Sequence, residues 1–165
     1  MYQHVLLAVD LQRDEENGGH ALAARQVALS IAQGCGAKLT VLSVYDYDSL
    51  DTSLSLPSDE LNRYRDTQMA RIDETMEQRM KTFLSVSEAV AVPVTQMVKV
   101  GEPRSLIMST AENLGVDLLV IGAHNKRGIV DAMLGGTAAY LSRHAPCPVV
   151  TVQPREENLS GGQNA

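Results

Sequence analysis

A chain of 165 residues, 44% of them apolar, is long enough for one hydrophobic core and predicts a single domain. Its formal net charge of −6 speaks against a general nucleic-acid or anionic-membrane surface, and no apolar run approaches the roughly 18 to 20 residues of a membrane span. Two cysteines, Cys35 and Cys147, fall short of a disulfide framework; no CxxC or Cys/His cluster has metal-ligand spacing, and no basic-then-apolar leader opens the chain, which therefore reads as cytoplasmic.

The first strand is predicted over His4–Val9, a near-continuous apolar run of the kind covered on both faces, and it stops at Asp10. A polar, glycine-bearing loop follows over Gln12–Gly19, then a small-residue helix over His20–Gln33 closed by Gly34. Lys38–Val44 is the second strand and Tyr45–Pro57 a long exposed loop. From Ser58, read as an N-cap, to about Glu88, the residues Leu61, Tyr64, Met69, Ile72, Met76, Met80 and Phe83 recur at helical spacing; the methionines read as core filler. Val92–Val100 is the third strand, and Gly101-Glu102-Pro103 turns the chain into a helix with proline near its first position, ending at Gly115. The fourth strand, Leu118–Ile121, ends in Gly122; the pair Gly135-Gly136 before Thr137 opens a short last helix, and Val149–Val152 is the fifth strand. The domain is thus expected over residues 1–153, with a polar, disordered tail over residues 154–165.

Strands alternating with helices predict a doubly wound α/β domain, a parallel sheet with helices on both faces joined by right-handed crossovers. The glycine-bearing loop between Gly122 and Thr137 is the strongest candidate site. Such a loop lets backbone N–H groups approach phosphate oxygens while the helix end supplies partial positive charge.

Four features converge: the strand ending in Asp10, the Gly101-Glu102-Pro103 turn, the run Asp117-Leu118-Leu119-Val120-Ile121-Gly122-Ala123-His124, and the closing His144-Ala145-Pro146-Cys147-Pro148-Val149-Val150. With them the chain resembles the universal stress protein family, in its single-domain, UspA-like form, over roughly residues 2–153. The resemblance implies a five-stranded parallel sheet of order 3-2-1-4-5, and a ligand site where the chain reverses between the first and fourth strands. The nucleotide-binding branch carries the loop G-x2-G-x9-G-[ST], which falls here on Gly122, Asn125, Gly135 and Gly136, so two of the four positions depart. By resemblance, Ala8, Val9, Asp10 and Val44 line the adenine and ribose side. Ile121 adjoins the loop; Gly122, Asn125, Gly135, Gly136 and Thr137 hold the phosphates, and Lys126 and Arg127 neutralise their charge. The implied cofactor is ATP, or ADP or AMP, with Mg2+.

The same resemblance implies a homodimer through the apolar C-terminal strand and an unidentified protein partner, with no nucleic acid and no membrane. The expected function is a regulatory, nucleotide-binding dimer of the stress response rather than an enzyme. The alternative is an interaction and dimerisation module without nucleotide, favoured by Asn125 and Gly136. Taken singly, Asp10 reads as the close of an Asx-turn, Gly122 as a strand-exit glycine, and Lys126 and Arg127 as solvated charges. No spacing brings His20 and His124 together, and the chain has no GK[ST] phosphate loop, so no catalytic or metal-ligating residue is assigned. On this reading Gly122→Val should abolish nucleotide binding with the fold retained.

Overall fold

The centre of the molecule is β1 (His4–Val9), all six of whose residues are buried. A strand apolar on both sides demands cover on both faces, and the computed structural model supplies it with four helices. The structure describes residues 1–12, 14–47, 55–85, 91–123 and 135–153, with side chains left undescribed over 14–18. After β1 come α1 (Asp14–Cys35), β2 (Lys38–Tyr45), α2 (Ser58–Leu84), β3 (Val94–Val100), α3 (Pro103–Asn113), β4 (Leu118–Gly122), α4 (Gly136–His144) and β5 (Val149–Val152). The five strands form one parallel sheet in the order β3-β2-β1-β4-β5, the order that the resemblance implies.

Strand alternation divides the core in two. Val5, Leu7 and Val9 point to the face covered by α1 and α2, where Met76, Met80 and Phe83 complete the packing. Leu6 and Ala8 point to the opposite face, against Ile107 and Ala111 of α3 and Ala138 and Leu141 of α4. The methionines of α2 are core filler, as read from the sequence, though only its C-terminal half is buried: Met76 and Met80 are 2% and 1% exposed. On α1 the buried stripe is Ala21, Ala24, Ala28 and Ala32, and side chains this small bring the helix backbone close to the sheet.

Several boundaries differ from expectation for identifiable reasons. Helix α1 starts at Asp14 rather than His20, so Gly18-Gly19, read as loop, is carried inside it. It runs past Gly34 and closes at Gly36, whose φ of 66° is left-handed; Gly36 N–H donates to Gln33 O and Ala37 N–H to Ala32 O, the paired bonds of a Schellman motif. The same motif ends α3 at Gly115, as expected. Ser58 is the first helical residue of α2, not its N-cap; Pro57 holds that position, with no side-chain bond. At α3 the cap is Glu102, whose carboxylate accepts from the N–H groups of Arg104 (3.1 Å) and Ser105 (2.7 Å), with Pro103 following at the first helical position. Strand β3 starts at Val94, two positions later than expected, behind Pro93.

Candidate functional site

The strand order reverses direction beside β1: β2 lies on one side of it and β4 on the other. Crossovers that leave these strands on opposite faces open a crevice at their carboxyl ends. A cleft of about 450 Å3 occupies that place. Its floor is apolar, made by Ala8, Val44, Ile107 and Ile121, and one wall is the start of α4. Nine of the residues singled out from the sequence line it together: Ala8, Val9, Asp10, Val44, Ile121, Gly122, Gly135, Gly136 and Thr137. Asn125, Lys126 and Arg127 lie outside the described residues, as does His124.

Further residues complete and support the lining. Gln12 reaches from the β1–α1 loop to the end of β2, where its side-chain amide donates to Asp46 O (2.9 Å) and accepts from Asp46 N–H (3.2 Å). Asp10 closes an Asx-turn by accepting from Gln12 N–H at 3.1 Å, so its structural reading holds while it also faces the cleft. From below, Arg79 of α2 donates to both Leu11 O (2.7 Å) and Gln12 O (2.8 Å), fixing the loop against the sheet. Tyr45 and Asp46 line the cleft at the end of β2, and Tyr45 is anchored by donating its hydroxyl to Asp73; Tyr47 donates to the same carboxylate oxygen at 2.7 Å. Burial first, then the Asp73 carboxylate, pushes the Tyr45 hydroxyl far above its ordinary pKa, so it acts as a fixed donor and not as an acid. His20, in the second turn of α1, and Pro103, the first residue of α3, also line the cleft. Gln12 and Tyr45 adjoin residues that the sequence did mark; Pro103 was legible as a helix start and His20 as a histidine without a neighbour at useful spacing, neither as a cleft residue.

The α4 end of the cleft carries the partial positive charge of a helix N-terminus. Gly135 caps the helix without a side-chain bond, and the first turn holds no acidic residue. The first helical bond runs from Ala139 N–H to Gly135 O, which leaves the N–H groups of Gly136, Thr137 and Ala138 without acceptors inside the helix. All three residues line the cleft. At the end of β4, a Cβ on Gly122 would stand 3.1 Å from His20 O and 3.3 Å from its carbonyl carbon, so a side chain here would press on the backbone of α1. Among the described residues no group of three or more His, Cys, Asp or Glu gathers to hold a metal ion, and no helix is long and apolar enough to cross a membrane.

The model of the universal stress protein family matches residues 1–153. The chain belongs to the universal stress protein family. A universal stress protein of Synechocystis is 27% identical over 133 residues, covering 78% of this chain and 86% of the relative. Among solved structures, the universal stress protein UspA from Lactobacillus plantarum is 28% identical with a TM-score of 0.62, covering 92% of this chain and 97% of that one. A universal stress protein family member from Arabidopsis thaliana with AMP bound is 19% identical with a TM-score of 0.59, covering 97% of each chain; at that identity the likeness speaks for the fold.

Proposed function

We propose that this universal stress protein binds an adenine nucleotide, ATP or its di- or monophosphate, in the cleft beyond β1 and β4, and acts as a regulatory protein rather than an enzyme. One observation carries the reading: a single crevice joins an apolar floor to a helix N-terminus whose first N–H groups lack acceptors inside the helix. The base packs over Ala8, Val9 and Val44 with the ribose toward Asp10. The phosphates lie against Gly122, Gly135, Gly136 and Thr137, and Ile121 adjoins them. Asn125, Lys126 and Arg127 belong to the same loop in this reading, and Mg2+ bridges the phosphate oxygens. The AMP-bound relative from Arabidopsis lends support through its shared fold.

The unit that does this is the domain of residues 1–153, working in the cytoplasm as a homodimer paired through β5, with nucleotide occupancy biasing its choice of protein partner. Such a bias requires the nucleotide to bind one of two states more tightly.

Calorimetric titration with Mg·ATP, with ADP and AMP in parallel, tests the proposal. Low-micromolar binding is expected. Nucleotide-free protein that gives no heat and no thermal stabilisation at millimolar nucleotide would overturn it. The departures at Asn125 and Gly136 favour a second reading, a dimerisation and interaction module without nucleotide, to which that result would point.

A further inference from the structure

The cleft lining includes the carboxylates of Asp10 and Asp46 but, among the described residues, no lysine or arginine. Lys126 and Arg127 of the loop serve a phosphate chain in the proposed reading, and the described residues offer further cationic help from outside the lining. Arg104, the residue after the cleft-lining Pro103, is placed to give it. Its guanidinium leans away from α3 onto α4: the central carbon stands 5.3 Å from the centre of the Tyr140 ring, and Nη2 would be only 3.0 Å from a Cβ on Gly136. One guanidinium nitrogen therefore lies against the Cβ position of residue 136, on the first turn of α4 and beside the residues that line the cleft.

Two helix N-termini disfavour a cation here. Helices α3 and α4 both begin here, and their N-terminal ends repel positive charge. Glu102 answers for α3, with its carboxylate oxygens accepting from the Arg104 and Ser105 N–H groups, but α4 has no acidic residue in its first turn and no side-chain cap. The exposed guanidinium meets the Tyr140 ring and the α4 turn, and it shares the groove between α3 and α4 with Glu102 and Glu112. An anion on the α4 turn would turn this repulsion into attraction, and the planar fork of an arginine matches phosphate oxygens.

We propose that Arg104 is a phosphate-contacting residue of the nucleotide cleft, seated on Gly136, steered by the Tyr140 ring, and donating to phosphate oxygens at the first turn of α4. A Cβ at Gly136 would crowd the guanidinium, whose flexible end would have to give way by a few tenths of an ångström. The inference rests on the reading of the cleft as a nucleotide site.

The test is a double-mutant cycle in the full chain with Arg104→Gln, Gly136→Ala and the pair, titrated with Mg·ATP and melted without ligand. Arg104→Gln is expected to weaken ATP about tenfold, the loss of a charge-assisted hydrogen bond, with the unliganded Tm unchanged. Gly136→Ala should weaken ATP in the presence of Arg104 and add little once glutamine stands at 104. Wild-type affinity in Arg104→Gln, a loss tracking a lowered unliganded Tm, or strictly additive losses would each overturn the role of Arg104 while leaving the nucleotide reading intact. Absence of ATP binding by the wild-type protein would overturn that reading, and the role of Arg104 with it.

Discussion

At Gly122 two demands meet. The residue borders the cleft, and its missing side chain lets the backbone of α1 at His20 approach β4 within a distance that a Cβ would contest. Gly122→Val is therefore expected to lower stability by about 1 to 3 kcal/mol through overpacking, seen as a reduced Tm in thermal circular dichroism. This differs from the expectation of an intact fold that the sequence alone suggests, and an unchanged Tm would restore it. At the opposite end of the sheet, His4 is buried, with Nδ1 at 3.2 Å from Leu114 O and Nε2 at 2.9 Å from Thr40 Oγ1. A carbonyl only accepts, so Nδ1 carries the proton and Nε2 accepts from the threonine. Burial first, then the charge of Lys38, holds the imidazole below its ordinary pKa of 6.5. The folded state then binds fewer protons than the unfolded state below that value. The stabilisation from His4 is complete above pH 6.5 and drains away as the pH falls toward the folded pKa. Urea unfolding from about pH 7 to about pH 5 should show wild-type stability falling more steeply than that of His4→Gln; equal slopes would remove His4 as the cause.

Among the elements, the β1–α1 connection depends most on long-range support. Leu11 and Gln12 offer carbonyls to Arg79, which lies on a helix far away in the chain, and Leu11 N–H donates to Ser43 Oγ at 3.4 Å. Arg79→Ala should cost about 1 to 3 kcal/mol in chemical denaturation and raise hydrogen exchange in the residue 11–12 segment, because two carbonyls lose a charged donor. Protection equal to wild type would show that the loop holds itself. At α3, Glu102→Ala should cost about 1 kcal/mol, the usual worth of an N-cap, again read by denaturation. These two contacts also mark what can be read locally. The Glu102-Pro103 helix start is a short-range pattern and was legible. The start of α1 was not, because Gly18-Gly19 argues for a loop and the helix nevertheless runs through them.

On the scale of the molecule, β5 and β3 form the two edges of the sheet. Leu119 N–H donates to Pro148 O and Ala123 N–H to Val152 O, so alternate residues of β5 face β4 and Thr151, between them, turns its N–H toward the open edge. If a second copy adds there, wild-type protein should run as a dimer at micromolar concentration in size-exclusion chromatography with light scattering, and Thr151→Pro as a monomer with its sheet intact. A monomeric wild type would remove this edge as the interface. The sequence by itself determined the β-α alternation, the cores of all five strands, and the glycines that border the cleft, since apolar runs, proline and glycine act on the chain within a few residues. Resemblance added the sheet order. Only the tertiary structure decided that Gln12 clasps Asp46, that His20 backs Gly122, and that Arg104 lies on Gly136. Each of these contacts joins segments whose distance is set by how helices sit on a twisted sheet, and no spacing along the chain encodes that placement.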